Sequence, residues 1–148
     1  MKFDTEGQRL VYEKVSTILK DEFGKRAIPD QDVARFMLNN GSATVIVYVA
    51  PINDKFTAVR LHSWVVMGAV ASVDLYQFLL KTNLQLRFGA FSIDEKGDIA
   101  FTHTLLGESL DTHSLMWAVM GALQTVDDND DQIVQRFGGT LARDYKAS

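Results

Sequence analysis

The sequence contains no cysteine and only two prolines among its 148 residues. The absence of cysteine excludes disulfide bonds, thiol nucleophiles and cysteine-ligated zinc sites, and it is compatible with a reducing compartment. We therefore expect a cytoplasmic protein. A chain of this length suits one domain, residues 1–148, which buries enough surface on folding to need no covalent cross-links.

Long apolar segments and an excess of positive charge are also missing. The longest uncharged apolar run, Ser63–Ser72, is far shorter than the roughly 18 residues that a membrane span needs. The polar N-terminal residues lead into no apolar segment typical of a signal peptide. The net charge is −4, whereas nucleic-acid binding depends on neutralising phosphates. We expect neither a membrane nor a nucleic-acid partner.

Catalytic signatures are absent as well. The sequence has no Gly-x-Ser-x-Gly nucleophile elbow and no glycine-rich loop of the dinucleotide-binding or phosphate-binding type. The pair Gly138-Gly139 is explained as the end of a helix, where glycine is favoured. We therefore predict a protein without enzymatic activity, catalytic residues or cofactor.

The acidic run Asp127–Asp131 has the first three ligand positions of a calcium loop. The sixth position is Gln132, where the loop needs glycine, and the twelfth is Gly138, where it needs a bidentate glutamate. The run is better interpreted as an acidic helix kink or as the solvated start of a last helical turn. We predict no metal site here.

The three histidines are His62, His103 and His113. His62 and His103 fall in separate predicted strands, where they could meet across a sheet. A zinc site there would still need a third ligand, such as Asp111. We interpret them as ordinary strand histidines, and we keep a small-molecule or metal-binding domain that uses His62 and His103 as an alternative.

The spacing of apolar residues predicts eight main elements. Apolar residues three or four apart indicate helices, and β-branched or alternating runs indicate strands. The elements are helix Thr5–Phe23, strands Val33–Leu38, Ala43–Ala50 and Phe56–Gly68, helix Ser72–Asn83, strands Leu86–Ile93 and Ile99–Leu106, and a helix from Leu110 to Phe137. The segment Ile28–Asp30 is predicted to be a break. Tight turns join the strands, so we predict an α+β fold with a mostly antiparallel sheet and helices packed on it.

The last helix is apolar on every side from Leu115 to Leu123. A helix of this kind is buried all round, yet a small domain offers it only one sheet face. Each large side chain left in water forgoes roughly 1.5–3 kcal/mol of burial. We therefore predict that a second copy of the chain covers Met116, Trp117 and Met120 in a homodimer. The alternative is cover by the first helix or by the loop 51–55.

A family resemblance lies in four stretches of the sequence, Leu79–Asn83, Leu86–Asp94, Gly97–Ile99 and Val134–Gly139. They resemble the YbjN family, whose fold is similar to that of type III secretion chaperones. The order of elements matches over most of the chain, whereas the sequence itself matches only in these stretches. The resemblance implies a small acidic homodimer without enzymatic activity. It further implies, as in the secretion chaperones, an unfolded protein segment bound over the sheet and helix surface, or a regulatory role.

These observations together predict a homodimer that binds a peptide or protein segment. The segment would add as a strand to an open sheet edge or lie in a groove beside the helices. We expect Tyr48, Trp64 and Val66 to contact this partner. One alternative is a regulatory adaptor that docks on a folded partner, and the other is the small-molecule or metal-binding domain named above.

Overall fold

The fold consists of seven strands in one sheet and three α-helices, in a computed structural model that describes residues 1–146. The helices are α1 (Glu6–Phe23), α2 (Val73–Gln85) and α3 (Thr112–Phe137). The strands are β1 (Ala27–Pro29), β2 (Arg35–Asn40), β3 (Ala43–Pro51), β4 (Thr57–Met67), β5 (Ala90–Ile93), β6 (Ile99–Leu106) and β7 (Thr140–Leu141). None of the helices in residues 1–146 has the length and apolarity needed to cross a bilayer.

All strand pairings in the sheet are antiparallel. The strand order is β1-β2-β3-β4-β6-β5, and β7 pairs with the end of β4. The predicted α+β class, the antiparallel sheet and the order of the main elements are therefore confirmed.

The sequence does not predict β1 and β7, and it places the start of β5 too early. Residues Ala27–Pro29 pair with β2 instead of forming a simple break. Proline is tolerated there because β1 is an edge strand, where no ladder hydrogen bond is lost. The segment Leu86–Gly89 lies outside the sheet, and β5 begins only at Ala90.

The sheet has one face covered by helices and one open face. Along β3, Val45, Val47 and Val49 are buried, whereas the alternating residues Ile46 and Tyr48 are partly exposed. Both α1 and α3 contact β3 and β4 through their apolar stripes, and so they form the helix-covered face. Antiparallel sheets commonly leave the other face to solvent.

The ends of α3 are fixed by local interactions. The Asp111 carboxylate accepts a hydrogen bond from the Ser114 N–H at 2.8 Å, and the Asp111 N–H donates to Ser114 Oγ at 3.0 Å. Leu110, just outside this capping box, is buried, as expected for a hydrophobic staple. At the other end Gly138 has a φ of 75° and donates its N–H to the Val134 carbonyl. Both ends of the helix are therefore fixed by local hydrogen bonds.

The acidic run on α3 anchors the turn between β2 and β3. Ser42 Oγ lies 2.7 Å from Asp127 Oδ1 and 2.5 Å from Asp130 Oδ2. A hydroxyl has only one proton to donate, so both contacts are satisfied when the Asp130 carboxyl is protonated and donates to Ser42. Burial raises the pKa of Asp130, and the hydrogen bond from the Ser42 side chain lowers the pKa of Asp127.

This contact corrects the sequence interpretation of the run. The helix passes through Asp127–Asp131 and continues to Phe137, so the run does not interrupt it. Asp130 is only 2% exposed, so the run is not simply a solvated turn. Its buried member instead connects α3 to the Ser42 turn.

We expect Asp130→Asn to raise the melting temperature at about pH 7 by a few degrees. A raised pKa means that the folded state favours the protonated carboxyl. This stabilisation is complete below pH 3.8, which is the ordinary pKa of Asp. It is lost as the pH rises through the folded-state pKa. The amide removes this loss and still donates to Ser42. Thermal unfolding of both proteins at neutral and acidic pH measures the effect.

The difference in melting temperature between the wild type and Asp130→Asn should shrink at a pH below the ordinary Asp pKa, where both side chains are neutral. Asp21→Asn, at an exposed position on α1, is the matched control and should show no comparable gain at neutral pH. A lower melting temperature of Asp130→Asn at neutral pH would show that the ionised carboxylate stabilises the fold, contrary to this expectation.

Candidate functional site

An open groove of about 820 Å³ lies between β6 and α3 on the helix-covered face. β6 contributes His103 and Leu105, α3 contributes Trp117 and Gly121, and the loop 86–88 forms the opposite side. The other lining residues are Asp111, His113, Ser114, Ala118 and Thr125. A volume of this size is typical of a binding site.

The groove is open because β5 leaves β6 early. The two strands pair only as far as Ala90 and Thr102. At Gly89 the φ is 72°, and a Cβ there would lie 2.4 Å from the Phe101 ring and 2.8 Å from the Thr102 carbonyl oxygen. Only glycine fits this position, and it turns the chain away from β6. Among the described residues, the stretch 103–106 of β6 therefore has a strand neighbour on the β4 side only.

A free strand edge carries unused hydrogen-bonding groups. Alternate backbone N–H and C=O groups of residues 103–106 point away from β4 and towards the missing neighbour. Their side chains alternate between the two faces of the sheet. His103 and Leu105 therefore lie in the groove, while Thr104 and Leu106 lie on the open face. A chain that paired with this edge would place every second side chain in the groove.

The α3 side of the groove contains a glycine in the middle of a helix. A Cβ on Gly121 would meet nothing within 4 Å, so the space above it belongs to the groove. Glycine costs a helix about 1 kcal/mol relative to alanine. Trp117 lies four residues earlier, on the same side of the helix, and is 64% exposed. The groove thus offers a large aromatic surface next to a gap.

Two polar side chains of the groove, His103 and Asp111, contact neighbouring residues. Burial lowers the pKa of His103, and its ring packs edge-on against Phe88 with the ring centres 5.9 Å apart. The Ser114 N–H lowers the pKa of Asp111 by hydrogen bonding to its carboxylate. Within residues 1–146, no group of three His, Cys, Asp or Glu side chains is placed to hold a metal ion. The groove is suited to apolar side chains and to backbone hydrogen bonds.

The residues predicted for a homodimer contact lie on the outer side of α3. Trp117 and Met120 are exposed, the latter by 50%, and Met116 is partly buried. Neither α1 nor the loop 51–55 covers the two exposed side chains. Trp117 is also part of the groove, so the groove and the predicted dimer surface share this residue.

The residues predicted for partner contact do not form one surface. Tyr48 and Trp64 lie on the open face, opposite to the groove, and Trp64 is 40% exposed. Val66 is fully buried in the core beneath the helices. Because its side chain has no exposed surface, we leave Val66 out of the surfaces proposed below.

The two strand histidines point to opposite faces of the sheet. His103 pairs with buried Leu61, whereas His62 pairs with Thr102 on the open face. Directly paired residues share a face, so His62 and His103 are separated by the sheet itself. The expectation that they could meet and share a ligand is therefore wrong.

One further apolar surface escapes the sequence reasoning. Val73, Tyr76, Leu80 and Leu84 are all exposed along one side of α2, and Leu84 is 82% exposed. Leu75 and Leu79 on the other side of the helix are buried. The 3-4-4 spacing of the exposed residues was available in the sequence as a second apolar stripe. We call these four residues the α2 stripe.

Solved structures resemble this fold. A chain in the crystal structure of the ExsC–ExsE complex matches with a TM-score of 0.62 at 13% identity, over 85% of this chain and 95% of that chain. A chain in the structure of the Yersinia pestis type III secretion chaperone SycH, in complex with a stable fragment of YscM2, matches with a TM-score of 0.53 at 11% identity, over 80% of this chain and 98% of that chain. At such identities these matches establish the fold alone. No curated protein matches the chain significantly.

A family model identifies the chain more specifically. The model TY-Chap1, described as "T3SS (YopN, CesT) and YbjN peptide-binding chaperone 1", matches residues 10–145. It spans the sequence from the first helix to the end of the sheet, and it confirms the resemblance to the YbjN family and to secretion chaperones. The chain therefore belongs to the TY-Chap1 family of peptide-binding chaperones.

Proposed function

We propose that this chain is a non-enzymatic chaperone of the cytoplasm that binds an extended segment of another protein in the groove and acts as a homodimer. The observation that carries the proposal is the free edge of β6 beside an apolar groove. Membership of a peptide-binding chaperone family supports it, as does the structural similarity to SycH, which was solved with a fragment of YscM2.

The bound segment adds as a strand to residues 103–106 of β6. Its backbone N–H and C=O groups pair with the β6 groups that β5 leaves unused. This pairing supplies affinity that does not depend on the sequence of the segment. Every second side chain then enters the groove beside His103 and Leu105 and faces Trp117 and Gly121. Because these surroundings are mostly apolar, aliphatic or aromatic side chains are preferred at those positions.

An extended segment fits this site better than a folded partner does. A folded protein seldom has a free strand and an open row of side chains to insert between α3 and the loop 86–88. An unfolded segment offers both at once. The adaptor alternative requires a partner in its native state, and the peptide experiment below separates the two.

The homodimer contact is proposed at the α2 stripe. Its four exposed side chains lie three or four residues apart, so they form one continuous row. A two-fold contact buries the same row on both copies. The contact predicted at Met116, Trp117 and Met120 is the rival, but Trp117 is already part of the groove. A dimer at α2 leaves the groove free for the bound segment.

Filling the groove from α3 should abolish segment binding. We expect Gly121→Phe to fold normally, because a Cβ at this position meets nothing within 4 Å and phenylalanine is a better helix former than glycine. Its ring would occupy the space meant for a side chain of the bound segment. Peptides selected on the full chain from a phage-displayed random library should lose affinity at least about tenfold, as measured by fluorescence anisotropy.

Gly121→Ala is the matched control for this experiment. It should stabilise the helix by about 1 kcal/mol and keep peptide binding, since a methyl group leaves most of the groove open. N-methylation of alternate peptide amides should also abolish binding if the segment pairs with β6. Unchanged binding to Gly121→Phe, or a library that yields no binding peptide, would contradict the proposed site.

The dimer contact is tested by one charge on each rival surface. We expect Leu80→Glu to yield a monomer, because each copy loses roughly 1.5–3 kcal/mol of apolar burial and gains a charge in the interface. Met120→Glu should leave the dimer intact. Sedimentation velocity over a range of concentrations measures both. Dissociation caused by Met120→Glu alone would assign the contact to α3, and a monomeric wild-type protein would rule out the homodimer.

A further inference from the structure

The Asp30 carboxylate reaches the open face of the sheet from beside β1 and pairs there with Arg35. Along β2, β3, β4 and β6, the strand positions whose side chains point to this face include no Asp or Glu. The chain as a whole contains 19 acidic residues and has a net charge of −4. Its acidic side chains are therefore concentrated on other surfaces, and the open face differs in charge from the rest of the molecule.

A row of hydrogen-bond donors crosses the open face. Arg35, Tyr48, Arg60 and Thr104 are direct neighbours on four adjacent strands. The Arg35 guanidinium is bonded to Asp30 at 2.7 Å and lies over the Tyr48 ring, 5.9 Å from its centre. This pairing neutralises the first arginine of the row.

Arg60 is the charged residue of the row that lacks a counterion. It is exposed, and no carboxylate in residues 1–146 forms an ion pair with it. Its positive charge also affects His62, two residues further along β4. The pKa of His62 is lowered mainly by burial and secondly by the charge of Arg60. An anion beside Arg60 would meet a positive charge and the Thr104 hydroxyl, and the Asp30 carboxylate of this face is already paired with Arg35.

An apolar strip lies next to the donor row. Met37 and Ile46 are neighbours on β2 and β3, and both line a small pocket of about 110 Å³. Trp64 is exposed at the far side of His62, with the two ring centres 4.8 Å apart. This pocket is smaller than the roughly 300–1,000 Å³ of a small-molecule site. The face suits a chain that lies across it.

We propose that the open face is a second docking surface, which takes an acidic segment of a partner protein. A carboxylate of the segment pairs with Arg60 beside Thr104, and an adjacent apolar side chain packs on Met37, Ile46 and Trp64. This surface lies on the other side of the sheet from the groove, so it does not depend on the function proposed above.

Two other occupants fit the face less well. Single-stranded nucleic acid binds through several phosphate contacts, but the open face has one unpaired arginine on an acidic protein. A second copy of the chain in a two-fold contact would bring the same arginine row to both sides of the interface. An acidic protein segment meets the charge of the face without either conflict.

The test uses library peptides selected on the full wild-type chain and then measured against variants by fluorescence anisotropy. We expect one class of peptides, rich in Asp and Glu, to lose affinity at least about tenfold with Arg60→Glu. This class should bind Gly121→Phe normally, which separates it from peptides held in the groove. Replacing its glutamates by lysine should restore binding to Arg60→Glu.

Lys20→Glu, on an exposed site of α1, changes the net charge equally and should leave this class unaffected. The absence of an acidic class that depends on Arg60 would overturn the proposal. Binding of oligouridine that is lost with Arg60→Glu would assign the face to nucleic acid instead. A changed sedimentation coefficient of Arg60→Glu would assign it to a second copy. A selection that yields the acidic class but no peptides sensitive to Gly121→Phe would contradict only the function proposed earlier.

Discussion

The groove and the open face both follow from one constraint, the limited area that three helices can cover on a seven-stranded sheet. Side chains on a strand alternate between faces, so burial of Val45, Val47 and Val49 under α1 and α3 leaves Ile46 and Tyr48 on the other side. The core is complete with one face covered. Several residues of the second face, such as Ile46, Tyr48 and His62, are left only partly buried.

Two glycines shape the groove. Gly89 makes the chain leave β6 where any side chain would collide with Phe101, and so it exposes a strand edge next to the core. Gly121 keeps a gap on α3 at a cost of about 1 kcal/mol in helix stability. Gly121 is not explained by the requirements of a stable fold, since an alanine in α3 would serve stability better. The shared effect of the two glycines is space for a strand and its side chains.

The sequence predicts the long elements well because their periodicity extends over many residues. The 3/4 spacing in α1 and the alternation along β3 and β4 decide both type and position. β1 and β7 have too few residues for a period to be seen. The groove was not predictable, because its residues Leu86, His103 and Gly121 come from distant parts of the chain. The orientation of His103 depends on its pairing with Leu61, and strand register is not readable from either strand alone.

The number of apolar residues in a helix does not determine how much apolar surface the helix exposes, as α3 shows. Of the run Leu115–Leu123, most side chains turn inwards because α3 lies across the sheet, and only Trp117 and Met120 are left largely exposed. α2 has fewer apolar residues, but it packs mainly against short β5 and so can bury only one of its two stripes. An uncovered surface is thus set by where a helix sits on the sheet rather than by how apolar it is. On this molecule the position of α2 leaves the α2 stripe exposed, and the position of α3 leaves Trp117 and Met120 exposed.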